Sequence, residues 1–138
     1  VDIKDDLPVK TLGSVAELKF QYEALRRGLQ VSVPITDNLK YDVIIANDRG
    51  KVFRVQIKSC QNVEKKHLQN YRFNTSSGAT GKLKYSVEDV DIFALYIFPL
   101  DLFYFIPIKQ ITGISTRVNP ADKNHRYEIY RDFWRTFA

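Results

Sequence analysis

Residues 41–60 constrain the fold of this chain more than any other stretch. Two runs rich in β-branched residues, Tyr41-Asp-Val-Ile-Ile-Ala46 and Lys51-Val-Phe-Arg-Val-Gln-Ile-Lys-Ser-Cys60, flank Asn47-Asp-Arg-Gly50, where Gly50 can take the positive φ of a tight reversal. This predicts a β-hairpin. In the second run Phe53, Val55 and Ile57 share one face and Arg54, Gln56 and Lys58 the other, the two-residue period of a half-buried strand. Placing Ala46 across from Lys51 makes paired positions sum to roughly 97, or roughly 98 with one bulged residue at Gly50. In the bulged register Asp42 faces Gln56, and Lys58 lies two residues on, about 7 Å along the strand. A carboxylate, an amide oxygen and an ammonium then share one small surface.

The other elements are placed around this hairpin. Residues 1–12 read as an irregular lead-in. A helix is expected from Val15 to about Arg27, with Val15, Leu18, Tyr22 and Leu25 at helical spacing and Gly28 at its C-terminal end. Ser14 and Glu17 have the spacing of a capping box, which gives Glu17 a purely structural alternative role. Leu29 to Ile35 predicts a strand, with Pro34 marking its end or a sheet edge. Gln61 to Tyr85 shows no periodicity and reads as a long polar loop. Ser86 to Val90 predicts a short capped helical turn. Asp91 to Phe98 is a nearly continuous apolar run, as in a strand buried on both faces. Pro99 to Asp101 turns the chain, and Leu102 to Ile108 returns as its hairpin partner. A helical turn over Lys109–Gly113, a short strand over Thr116–Asn119 and a terminal helix over Tyr127–Phe137 complete the expectation.

At 138 residues the chain is expected to form one domain spanning 1–138 and large enough to bury a core. No run approaches the ~18 apolar residues of a membrane span, and the polar start Val1-Asp-Ile-Lys-Asp-Asp6 is no targeting signal. Cys60 is the single cysteine, so no internal disulfide can form and a reducing, cytoplasmic compartment is the default. The net charge is +5. Within 51–90, eight Lys or Arg stand against three acids, so this segment carries the whole excess. Lys65, Lys66, Arg72, Lys82 and Lys84, interleaved with Tyr71 and Phe73 and adjoining the small-residue run 74–81, suit contacts to a nucleic acid backbone or bases. A solvated basic surface would carry the same charge.

Asp42 and the Gln56 side chain are hard oxygen donors, and the Ile57 carbonyl lies between Gln56 and Lys58. With waters and a phosphate oxygen, such a set suits Mg²⁺ over a soft metal. A metal held there would polarise a phosphodiester and acidify an attacking water, while Lys58 would orient that water or stabilise charge on the phosphoryl oxygens. Glu17 could approach from the first helix and bind directly or through water. His67 and His125 lack zinc spacing and read as surface residues, Cys60 reads as a small buried residue, and neither a P-loop nor a Rossmann fingerprint occurs.

Gly13-Ser14-x-x-Glu17 on a first helix, Tyr41-Asp42 opening a strand and Gln56-Ile57-Lys58 ending the next resemble the PD-(D/E)XK nuclease superfamily in its variant with Gln at the third position. The wider ordered set, with Val33-Pro34, Asp91-Ile-Phe-Ala-Leu-Tyr96 and Tyr104-Phe-Ile-Pro107, resembles its group I intron-associated homing endonucleases from Gly13 to about Trp134. The resemblance implies an α/β fold with an αβββαβ core, its mixed central sheet flanked by helices. It implies Mg²⁺-dependent cleavage of double-stranded DNA, with Mn²⁺ able to substitute, by a homo-oligomer (dimer or tetramer) reading a nearly palindromic site. By position it makes Asp42 a metal ligand, Gln56 the replacement for the usual acidic ligand, Lys58 the catalytic lysine and Glu17 the acid of the first helix. Tyr41 stands where the motif's proline would be, and Gln56 removes one negative charge. The Gly-Ser-x-x-Glu opening also resembles archaeal Holliday junction resolvases of the same core. A relative that binds DNA without cutting it is the third reading.

Overall fold

The computed structural model describes residues 6–77 and 83–138. The elements are α1 (Val9–Arg26), β1 (Gln30–Ser32), β2 (Val43–Ala46), β3 (Val52–Cys60), β4 (Tyr71–Asn74), β5 (Ser76–Ser77), β6 (Leu83–Lys84), β7 (Ile92–Ile97), β8 (Leu102–Pro107) and β9 (Ser115–Val118). Five strands form one sheet in the order β1-β2-β3-β7-β8. β3 and β7 run parallel and the other neighbours antiparallel, which makes the sheet mixed.

The hairpin adopts the bulged register, from Val43 opposite Val55 to Ala46 opposite Val52. Asn47 N–H donates to the Lys51 carbonyl at 3.0 Å, and Gly50 takes φ +78°. The three residues between form a reversal closed by a left-handed residue, a geometry that glycine adopts without steric cost. The Asn47 side-chain oxygen accepts the N–H groups of Arg49 and Lys51, each at 3.0 Å, so the turn holds itself. Its apolar residues Phe53, Val55 and Ile57 are buried, as the alternation predicts.

The helix differs from expectation in length and in rotation. It starts six residues earlier, at Val9 after Pro8, and Ser14 lies inside it with its hydroxyl bonded back to the Lys10 carbonyl at 3.2 Å. No capping box forms. The buried residues are Leu12, Ala16, Phe20 and Ala24, while Leu18, Tyr22 and Leu25 are 66%, 59% and 58% exposed. Two alanines let the helix approach the sheet closely, and Phe20 fills the space between them. Its ring lies 5.7–6.0 Å from those of Phe103, Phe105, Trp134 and Phe137. Packing around that one aromatic sets the rotation against the pull of larger exposed side chains.

One face of the sheet thus packs on α1 and the chain end, and the other on Phe73, Val118 and Tyr127. Among the described residues α1 is the single α-helix, so the second helix of an αβββαβ core is missing from them. Between β3 and its parallel neighbour β7 lie β4, which pairs with the later β9, the β5–β6 pair, and a turn at Ser86–Asp89 closed by the Ser86 hydroxyl on Asp89. The expected long loop over 61–85 is therefore partly strand. The first strand is shorter than 29–35, and the turn after β8 is a 3-10 turn at Ile108–Gln110.

The expected helix over Tyr127–Phe137 is replaced by two 3-10 turns, Glu128–Tyr130 and Trp134–Phe137. Between them Asp132 sits at φ +45°. Its N–H donates to the Phe103 carbonyl at 2.8 Å, its carboxylate accepts the Phe103 N–H at 3.1 Å, and Arg131 bridges to Tyr104. The unpaired edge of β8 needs partners, and supplying them outweighs the local helical preference.

Candidate active site

The β2–β3 ladder ends at Val43 opposite Val55, and there the chain before Val43 peels away from its partner. Asp42 N–H still donates to the Val55 carbonyl at 2.9 Å. The next donor on that edge of β3, Ile57 N–H, is taken by the Asp42 carboxylate at 2.8 Å instead of by a strand carbonyl. This bond holds one carboxylate oxygen of Asp42 and fixes the side chain against the end of the ladder. The other oxygen has no donor among the described residues. The Ile57 carbonyl points to the same open edge and has no strand partner there.

Of Arg54, Gln56 and Lys58 on the polar face of β3, Arg54 is tied down. Its backbone N–H and guanidinium both bond Asp91 at the start of β7, at 2.7–3.1 Å. Gln56 and Lys58 are half-buried and make no side-chain hydrogen bond or ion pair among the described residues. Lys58 Nζ lies 5.5 Å from the Tyr85 ring centroid, a cation–π distance. Burial pushes the Lys58 ammonium below the ordinary lysine range, against the opposing pull of the Asp42 carboxylate. Burial likewise pushes Asp42 up, against the bond from Ile57 and the charge of Lys58.

Glu17 joins this group because of the rotation of α1. It lies about 60° round the helix from Phe20 and so flanks the buried face instead of pointing to solvent. It is half-buried, and its carboxyl is pushed up first by burial and second by the Asp42 charge. The mutual repulsion shows that the two carboxylates share one electrostatic environment. With no capping box, Glu17 has no helix-end role.

Lys58 opens into a groove of about 420 Å³ lined by Asp37, Lys40, Asn74, Ser76, Ser77 and Tyr85 among others. Lys40 Nζ donates to the Ser77 hydroxyl at 3.2 Å. Tyr85 and Lys40 carried no signal in the sequence, since their partners lie 27 and 37 residues away. Of the expected DNA contacts, Lys65, Lys66, Arg72 and Lys84 are exposed, and Lys84 Nζ donates to the Thr112 carbonyl at 3.1 Å. Lys82 lies outside the described residues. Two expectations need correcting. His67 is exposed, but His125 is tucked in, with Nε2 sealed from solvent 3.2 Å from a Glu128 oxygen and without hydrogen-bond geometry. Cys60 is half-buried, not fully enclosed, and its thiol donates to the Asn62 carbonyl at 3.2 Å.

A sequence profile of PD-(D/E)XK endonucleases matches residues 8–137. The chain belongs to the PD-(D/E)XK endonuclease family. Among solved structures, the bacterial homing endonuclease I-Ssp6803I matches with a TM-score of 0.81 and 27% sequence identity, over 94% of this chain and 93% of that one. No curated protein matches it. A PD-(D/E)XK endonuclease acts on DNA, and members of the family as a rule use divalent metals. Among the described residues no group of three or more His, Cys, Asp or Glu forms a metal cluster. The donor set nevertheless fits a hard cation: two carboxylates that repel each other, one of them with a free oxygen, beside an unpaired main-chain carbonyl and an amide. A cation there would offset both the burial and, secondarily, the Asp42 charge that raise Glu17.

Proposed function

We propose that the chain is a Mg²⁺-dependent, sequence-specific endonuclease of the homing type that hydrolyses phosphodiester bonds in double-stranded DNA. The observation that carries this reading is the convergence, at one open strand end, of Asp42, Glu17, Gln56 and Lys58, with Arg54 alone spent on a structural tie. Asp42 and the Ile57 carbonyl would hold the metal, with Gln56 as a neutral third donor and Glu17 binding directly or through water. Such a metal supplies a polarised phosphoryl oxygen and a more acidic water. Lys58, partly desolvated and aimed at the groove, positions the attacking water and stabilises the negative charge that grows on the phosphoryl oxygens. Gln56 in place of an acid removes one negative charge from the site and weakens its hold on the metal.

Lys65, Lys66, Arg72 and Lys84 contact phosphates, and the excess positive charge of 51–90 draws the duplex to the site. In this reading the chain acts as a homo-oligomer on a nearly palindromic duplex, whose twofold symmetry a pair of identical subunits would match. The test is incubation of the full chain with a randomised duplex pool and with a synthetic four-way junction, with Mg²⁺ or EDTA. Cuts confined to particular duplex sequences, and lost in EDTA, are expected. Cutting of the junction alone would assign a resolvase, and binding without cutting would make the chain a non-cleaving relative.

A further inference from the structure

The two-stranded ribbon β4–β9 has two different faces. Tyr71, Phe73, Thr116 and Val118 turn inward, with Phe73 and Val118 fully buried against the sheet. The Thr75 hydroxyl bonds Thr116 and the Gly113 carbonyl, each at 3.1 Å, which fixes the ribbon further. Arg72, Asn74, Ser115 and Arg117 face outward, with Arg72 paired directly opposite Arg117. Like charges placed opposite each other in an antiparallel pair are unfavourable; Glu64 offsets Arg117, and a polyanion outside the protein would offset Arg72.

Arg117 is not free to swing. Its Nε donates to Glu64 Oε1 at 2.8 Å, and Glu64 is itself only 17% exposed and held by the bond from its N–H to the Asn70 carbonyl at 2.9 Å. Arg117 keeps 49% exposure, and its two terminal nitrogens, without a partner among the described residues, form a rigid fork. That fork has the spacing of the O6 and N7 acceptors of guanine, and a two-stranded ribbon fits the major groove, about 12 Å wide. A carboxylate against the guanidinium disfavours a neighbouring phosphate while leaving a neutral base edge acceptable. The ribbon also runs into the catalytic groove: Asn74, two residues or about 7 Å along the strand from Arg72, lines the same cavity as Lys58.

We propose that the outer face of the β4–β9 ribbon enters the major groove beside the scissile bond, with Arg117, positioned by Glu64, reading a guanine and Arg72 contacting phosphate. This rests on the reading of the chain as a sequence-specific nuclease. The test selects binders from a randomised duplex pool with the full chain in Ca²⁺, followed by sequencing, for wild type, Arg117→Ala, Arg117→Lys and Arg72→Ala. Wild type is expected to enrich guanine at one position of each half-site. Both Arg117 variants are expected to lose that preference by about tenfold to a hundredfold and to keep the preferences elsewhere. The lysine variant retains charge and stem, so the outcome stands even if the alanine variant folds poorly. Arg72→Ala should weaken binding to all selected sequences alike and flatten its salt dependence. An unchanged guanine preference in both Arg117 variants, or a loss spread evenly over all positions, overturns base reading and leaves the nuclease reading in place. A wild type that enriches no sequence overturns both.

Discussion

Asp42 has one oxygen committed to Ile57 and one without a donor among the described residues, and under the proposed function that division is the chemical centre of the site. The fold gathers carboxylates there at a cost. Asp42 and Glu17 are both pushed above the ordinary carboxylate range, so their contribution to stability is complete below that range and is lost as pH rises through the raised values. Lys58 works in the opposite sense: its lowered value means that stability recovers as pH climbs through that value toward the ordinary lysine range. Glu17→Gln should therefore raise the melting temperature of the metal-free protein at neutral pH and shrink the further rise produced by Mg²⁺. A lower melting temperature in EDTA would show that Glu17 has a stabilising partner instead. Gln56→Glu adds a third carboxylate to the same environment. It should lower the metal-free melting temperature and tighten Mg²⁺ binding by about tenfold in a calorimetric titration, about 1.4 kcal/mol. Unaltered Mg²⁺ affinity would place Gln56 outside the metal's reach.

Among the elements, the hairpin was the most legible, because its signal is local. Alternation assigned its faces, Gly50 its turn, and the bulge its register, and the register then carried Asp42 to the end of β3. The apolar run of β7 and its return along β8 were equally plain. What the sequence could not show was decided by distant partners. The helix rotation follows from Phe20 meeting aromatics more than 80 residues away, and β4 exists because β9 pairs with it across some 40 residues. The C-terminal turns follow from the unpaired edge of β8. For Glu17 the spacing left open a capping role as well as a place at the site, and the longer helix removes the capping role. Substitution measures this difference. Ser14→Ala should change stability by no more than about 0.5 kcal/mol in denaturant unfolding, where a true N-cap would cost about 1 kcal/mol. Phe20→Ala should cost about 3–5 kcal/mol. A small effect at Phe20 would contradict the packing that sets the helix rotation, and with it the approach of Glu17.

For the whole molecule, charge and chemistry coincide. The segment that holds the excess positive charge begins on β3, which carries Gln56 and Lys58, and continues through the ribbon and the groove wall. Binding to duplex DNA should therefore fall steeply with salt, by about a hundredfold or more between 50 and 200 mM if four or more phosphates are neutralised. Fluorescence anisotropy across that range reads it directly, and a flat response would count against a DNA partner. The proposed catalytic site rests on the polar side of one strand end. It is tested most directly by single-turnover cleavage, in Mg²⁺, of a duplex selected by the wild type, comparing wild type with Lys58→Ala and Asp42→Ala. Loss of cleavage by at least about a hundredfold in each variant, with DNA binding retained, is the expected result. Cleavage by either variant at the wild-type rate would contradict the account.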